Sequence, residues 1–344
     1  MKKILIILLV VVYSLPIFSQ KILKANYWTS PKMSETVAKS LAGNDLIIVD
    51  VDNWKNNREN LQLLKKLNPN ILLIIYTNLL EVFPNAGINR PWQQALANEI
   101  YTKFPVWLLK TDRRNEAVFT PKMRMLNVSS TCPKINGQTY TDWYADKLTN
   151  GILRDSLVDG YFCDNGSGKW AWLYSGKGEQ IDADNDGQPD LDYILDNNMS
   201  EGVKSFLHKI RQVMGKKFIL IANKGSVEYM DDLDGRMFED WRNDYLGDDY
   251  DGGWWQCLIN GRKTGDYTII KIKSAKDLDF AYLSAKLLGH NVYVAIGQDN
   301  SNPYPEFPTD LGKLEKIEIR GYFEKGIINI TPSKSNAEIQ KKDR

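Results

Sequence analysis

Val158-Asp-Gly-Tyr-Phe-Cys-Asp164-Asn165 is a short, β-rich apolar run that stops on a carboxylate and an amide. Such a run reads as a strand covered on both faces, as strands of parallel sheets are. The same form recurs on either side of it. Downstream lie Lys217 to Ala222, Arg236 to Phe238, Thr268 to Ile272 and Val292 to Ile296; upstream lie Ala25 to Trp28, Leu46 to Val51 and Ile71 to Tyr76. Amphipathic stretches separate them: Arg58 to Leu67, Trp92 to Lys103, Thr141 to Ser156, Met199 to Met214 and Ala275 to Leu288. Each has apolar residues three and four apart, as Phe206, Leu207, Ile210 and Met214 do. Eight alternations with no low-complexity linker predict an α/β fold, a closed (β/α)8 TIM barrel, over the rival two-domain doubly wound sheet.

The stretch from Leu79 to Asn150 is longer than a simple crossover. It carries an irregular Pro- and Trp-containing segment around Phe104 to Gly137, expected to be a large loop before strand four on the active-site face. Met125-Leu-Asn-Val is a candidate ninth strand. The first twenty residues run Met-Lys-Lys, an apolar segment from Ile4 to Val12, then small residues up to Gln20, the order of a cleaved secretory signal peptide. The apolar core is short for a membrane anchor and is followed by Pro16. The expected division is a signal peptide over 1–20, the barrel over 21–332 and a disordered polar tail over 333–344. This predicts an exported protein, periplasmic, cell-surface or secreted, with no membrane association after cleavage.

With 44 basic and 43 acidic residues, no electrostatic case exists for nucleic acid or an anionic membrane. Three cysteines, Cys132, Cys163 and Cys257, are too few for a disulfide framework, and Cys163 inside its strand reads as a buried thiol. The two histidines, His208 and His290, have no His, Cys or Glu at metal-ligand spacing, which argues against a catalytic zinc or a Ser-His-Asp triad. No cofactor for catalysis is expected.

In such a barrel the reacting groups sit where strands end. Strand four ends in Asp164-Asn165, and Gly235-Arg-Met-Phe ends in Glu239-Asp240-Trp241. Glycosidic hydrolysis needs two carboxyl groups flanking one bond, and Asp164 with Glu239 are the candidate catalytic pair. Asp50, Asp52 and Trp54 after strand two, Glu81 after strand three, Asn223 ending Ile219-Leu-Ile-Ala, and Asp240 and Trp241 are candidates for binding substrate. A lone strand-end acid can equally cap the next helix or brace a loop. Trp54, Trp143, Trp170, Trp172, Trp241, Trp254 and Trp255 lie near strand ends or in loops, where an indole face can stack on the C–H surface of a sugar; core packing is the other role of any single one.

The loop Asp182-Ala-Asp184-Asn-Asp186-Gly187-Gln-Pro-Asp190 alternates carboxylates around a glycine. That spacing gathers oxygens about one calcium, although Tyr193 replaces the bidentate Glu of an EF-hand. Asp182, Asp184, Asp186 and Asp190 are therefore candidate ligands of a structural calcium, with a solvated acidic loop as the alternative.

Several phrases together resemble the bacterial glycoside-hydrolase-like barrel proteins related to endo-α-1,4-polygalactosaminidase-type barrels. They are Met125-Leu-Asn127, Asp159-Gly-Tyr-Phe-Cys-Asp164-Asn165, the Asp182 to Asp190 loop, Ile221-Ala-Asn223, Gly235-Arg-Met-Phe-Glu239-Asp240 and Arg320-Gly-Tyr-Phe-Glu-Lys-Gly-Ile-Ile-Asn329. The resemblance implies a barrel acting on a carbohydrate and adds Asn127 and Asn165 to the candidates for binding it. A more distant likeness to the α-galactosidase (melibiase) clan implies Asp164 as nucleophile and Glu239 as acid/base. This chain departs from that clan with Glu after strand six and with Phe162 where the clan has Lys. The expected function is hydrolysis of an oligo- or polysaccharide; the alternatives are a barrel that binds carbohydrate without cleaving it and, with less support, a polysaccharide lyase.

Overall fold

The computed structural model describes residues 21–223, 229–239, 253–302, 329–332 and 337–340; side chains at 253–256, 279, 283 and in the last two segments are not described. The eight barrel strands are β1 (Ile22–Trp28), β2 (Leu46–Asp50), β3 (Leu72–Asn78), β4 (Gly160–Asp164), β5 (Ile219–Asn223), β6 (Gly235–Phe238), β7 (Thr268–Ile272) and β8 (Val292–Ile296). All pair in parallel, in chain order, and β8 closes on β1 through Ile22↔Val292 to Ala25↔Ala295. The expected (β/α)8 barrel is the observed one.

Alternation along each strand divides the apolar residues into two layers. Ala25, Ile48, Ile74, Phe162, Ile221, Met237, Ile269 and Ala295 fill the barrel interior. Ile47, Val49, Leu73, Ile75, Leu220 and Ala222 face outward into the larger core under the helices. Both faces are therefore dry, which is why β2 is buried at every position. The interior is tight at its base, where a Cβ on Gly160 would stand 2.4 Å from the Ile219 carbonyl oxygen.

Helices cover the outer layer. They include α1 (Glu35–Leu41), α2 (Val51–Asn56), α3 (Arg58–Leu67), α4 (Pro91–Lys103), α5 (Tyr140–Thr149), α6 (Asp192–Met214), α7 (Gly253–Gly261) and α8 (Leu278–Leu288). In α3, Leu61 and Leu64, three residues apart, are the buried face. Thr139 and Asp142 close a capping box at the start of α5. Gly289, at φ 81°, ends α8 in the left-handed conformation.

Two short antiparallel ribbons stand on the loops that follow β3 and β4. Glu81–Val82 pairs with Arg124–Met125, and Lys110–Thr111 pairs with Ile181–Asp182. The candidate ninth strand is thus corrected: Met125 belongs to the first ribbon, outside the barrel, because its partner is Glu81 and not a barrel strand. Within the segment expected to be a disordered tail, Ala337–Gln340 pairs antiparallel with Asn329–Pro332. The leader, residues 1–20, lies outside the described residues. Among the described residues no helix is long and apolar enough to cross a membrane.

Candidate active site

In six of the eight strands the inward series ends in a polar residue at the mouth of the barrel. Ile219 and Ile221 are followed by Asn223, Phe162 by Asp164, Met237 by Glu239, Ile74 by Tyr76 and Asn78, Ile48 by Asp50, and Ile269 by Lys271. The apolar lower layers make the floor, and this last layer is the floor's polar surface. Above it opens a cavity of about 720 Å³ that Asp164, Glu239, Asn223, Tyr27, Tyr76 and Asp50 all line.

Asp164 is held by three donors. The Tyr76 hydroxyl reaches Oδ2 at 2.6 Å, and Asn223 Nδ2 and the Asn165 amide reach Oδ1 at 3.0 and 2.9 Å. Burial pushes its carboxyl above the usual carboxylate range; the Tyr76 and Asn223 hydrogen bonds oppose that shift, and the charge of Glu239 adds to it. Burial followed by the charges of Asp164 and Glu239 pushes the Tyr27 phenol well up, and burial with the charge of Asp164 does so for Tyr76. Both phenols therefore remain donors at any physiological pH. Glu239 Oε1 accepts from Lys271 Nζ at 3.2 Å, and that ammonium also lies 5.7 Å from the centre of the Tyr27 ring.

One wall is aromatic. Phe119 packs edge-on against Trp170 and Trp172, with ring centroids 4.9 and 6.4 Å apart, and Trp172 is 46% exposed. A partly exposed indole beside a polar floor suits a sugar ring, which has one apolar face and a rim of hydroxyls.

Four of the residues expected to bind substrate line this cavity: Asp50, Glu81, Asn165 and Asn223. Asp50 also caps α2 by accepting from the Asp52 amide at 2.9 Å, and its other oxygen accepts from Arg90 at 2.8 Å. Glu81 accepts from the Thr120 amide and hydroxyl at 2.6 and 2.8 Å, so it fastens the loop around Thr120. Asn223 Oδ1 is buried without a hydrogen-bond partner.

Three expected binding residues are not among those lining the cavity. Asp52, already on α2, is fully buried and accepts from the Trp92 amide at 2.7 Å, so it secures the first turn of α4. Trp54 lies two residues further along α2 and donates Nε1 to Asp155 at 2.8 Å, next to the Arg58–Asp155 ion pair. Asn127 is buried under the acidic loop, where its Nδ2 donates to the Ala183 carbonyl at 2.5 Å. Asp240 and Trp241 lie outside the described residues. Trp143 packs with Phe104 and Trp107 in the core, and the side chains of Trp254 and Trp255 are not described.

In the acidic loop, single carboxylate oxygens of Asp182, Asp184 and Asp186 lie within 4.8 Å of one another. Asp190 instead accepts from the Ala183 amide at 2.7 Å, closing the loop. The loop's own amides also satisfy Asp182, from Asp186 at 3.0 Å and Gly187 at 2.9 Å, and Arg114 stands 3.4 Å from it. Cys132, Cys163 and Cys257 are all buried free thiols. Burial pushes Cys132 up to about 12 and raises Cys163 as well.

Tyr76 and Lys271 are the site residues that strand-end reading missed. Their signal was parity: each occupies the next inward position after a core residue of its own strand.

The closed parallel barrel, with Asp164 and Glu239 at its C-terminal mouth, is of the glycoside-hydrolase-like kind that the sequence resembles. Residues 65–315 match hypothetical glycosyl hydrolase family 15, and the chain belongs to that family. Among solved structures it is similar to a noncanonic maltogenic α-amylase, AmyB, from Thermotoga neapolitana, with 12% identity over 83% of this chain and 70% of that one, at a TM-score of 0.47. It is also similar to the carboxyl transferase domain of Rhizobium etli pyruvate carboxylase, with 11% identity over 80% of this chain and 40% of that one, at a TM-score of 0.34. No curated protein sequence matches significantly.

Proposed function

We propose that this protein is an exported glycoside hydrolase that cleaves an oligo- or polysaccharide with Asp164 and Glu239 as the reacting pair. The observation that carries this reading is that both carboxylates line one aromatic-walled cavity. Asp164, whose three hydrogen bonds oppose the upward shift that burial imposes on its carboxyl, is assigned as the group that attacks the anomeric carbon or activates water. Glu239, just after β6 and two strands along the barrel, then delivers a proton to the departing oxygen. Asn223 and Asn165 are placed to bond hydroxyls, and Trp172 to stack on the ring.

The test is turnover on a panel of aryl glycosides and polysaccharides. Asp164→Asn and Glu239→Gln should each lower it by about 10³-fold or more while the chain stays folded. Full activity in either variant removes that residue from the pair.

A carbohydrate-binding barrel without catalysis is the second reading. One observation favours it: Lys271 donates to Glu239, occupying an oxygen that a proton donor would turn toward the leaving group. Saccharide binding by the unaltered chain with no cleavage of any ligand that it binds would select this reading. Export is part of the proposal and rests on the apolar leader; the mature N-terminus of protein recovered outside the cytoplasm tests it. The acidic loop is proposed as a structural calcium loop built on Asp182, Asp184 and Asp186, with Asp190 holding its shape.

A further inference from the structure

Beside the carboxylate cavity lies a second one, of about 470 Å³, and the two share Phe83 and Arg90 as lining residues. Its described lining contains three cations, Arg90, Lys122 and Arg124, and no carboxylate. Distant parts of the chain build it. The Glu81–Val82 ribbon sets Arg124 opposite Val82, next to Phe83. Arg90, just before α4, lies with its guanidinium 5.9 Å from the centre of the Phe83 ring.

Lys122 is presented by a tight turn. The Met123 amide donates to the Thr120 carbonyl at 3.0 Å, with Pro121 second and Lys122 third in the turn, at φ 72°. This is the pattern of a type II turn, whose third position favours Gly or Asn, so a lysine there is held in a strained backbone conformation. Glu81 clamps Thr120, the first residue of that turn, through both of its oxygens. The turn is therefore anchored to the catalytic cavity itself.

The charge of Arg90 is shared with Asp50, and that of Arg124 with Glu116, which also meets Lys110. Lys122 forms no ion pair with a described residue. A concave surface with three cations, an unspent charge and no acid favours an anion.

We propose that this second cavity is an anionic subsite, and that the saccharide which enters the carboxylate cavity carries a carboxylate or sulfate group on a neighbouring ring. The inference rests on the carbohydrate reading above and narrows it to acidic glycans. Arg90 joins the two cavities, so one chain can span both.

The experiment is calorimetric binding by the Asp164→Asn chain, which prevents turnover, with oligogalacturonates, sulfated galactose oligosaccharides and neutral oligosaccharides of equal length. Acidic ligands should bind at least about ten-fold more tightly than neutral ones, and Lys122→Glu should remove most of that preference without lowering neutral binding. Whichever acidic set is preferred distinguishes a uronate from a sulfate ester. Lys122→Gly removes the charge and the strain together, so its loss of acidic binding cannot come from misfolding. Equal binding of acidic and neutral ligands, no binding of any acidic one, or a preference that survives Lys122→Glu overturns the subsite and leaves the hydrolase reading standing. Acid-selective binding by a wild-type chain that cleaves none of these ligands supports the subsite and counts against the hydrolase.

Discussion

The Tyr76 hydroxyl donates to Asp164 Oδ2 at 2.6 Å, and it is the only described hydrogen bond on that oxygen. Because the bond favours the ionised carboxylate, it opposes the burial that raises the Asp164 pKa. Tyr76→Phe removes the bond and leaves the burial, so the pKa of Asp164 rises further. If Asp164 must be ionised to react, the acidic limb of the kcat/KM profile moves to higher pH, and turnover falls by about 10- to 100-fold at acidic pH. A profile that keeps both its limb and its height would show that Asp164 is not the ionised partner.

Lys271 and Glu239 form the other polar pair at the mouth, and Lys271 is only 8% exposed. Removing one member of a shielded pair costs more than removing both, because the remaining charge keeps its desolvation penalty. Glu239→Gln should therefore destabilise the chain more than the double variant Lys271→Met with Glu239→Gln does. Denaturant unfolding of the two single variants and the double variant should give a coupling of about 1–3 kcal/mol. Strict additivity would mean that the contact contributes nothing to the fold.

Asp52 gives a pH dependence of stability that owes nothing to catalysis. Burial, and then the charge of Asp50, raises its pKa to about 7, and its Oδ2 is buried without a partner. The unfolded carboxyl titrates near 3.9. Between about pH 4 and 7 the native state thus holds a proton that the unfolded state has lost, and this contribution to stability declines as pH rises through that window. Asn in its place keeps an acceptor for the Trp92 amide and has no charge to bury. Asp52→Asn should flatten the pH dependence of the melting temperature over that window and stabilise the chain at pH 8 by about 1–2 kcal/mol. A variant less stable than wild type at pH 8 would show that the ionised form is needed there.

All eight barrel strands were legible because parallel strands dry on both faces leave continuous apolar runs, and the acids ending β4 and β6 stood out against them. Asp52 and Trp54 were misplaced for a local reason: β2 ends at Asp50, and Val51 already begins α2, so their side chains follow a helical period and turn away from the mouth. Asn127 was a candidate through the family resemblance, but its surroundings come from the loop carrying Ala183, 56 residues away. Arg124 gave no signal, since a ribbon strand of two residues has no periodicity to read, and Lys122 lies in the turn just before it. What sequence pattern cannot supply is long-range pairing inside the loops, and the second cavity is built from nothing else.

The acidic loop supplies the last prediction. Three carboxylates within 4.8 Å repel one another, and Arg114, 55% exposed, offsets only part of that charge. A bound calcium would neutralise the cluster, and because the unfolded chain does not assemble the site, binding adds to folding stability. At a free concentration 100 times the Kd the gain is about 2.7 kcal/mol, enough to raise the melting temperature by several degrees. Millimolar calcium should produce that rise and a chelator reverse it, and Asp184→Asn should abolish it, since Asp184 is exposed and its loss leaves the loop's packing intact. The melt must respond more to calcium than to magnesium, which demands an octahedral site. A melting temperature indifferent to both ions and to the chelator would leave Arg114 and the loop amides as all that closes Asp182 to Asp190.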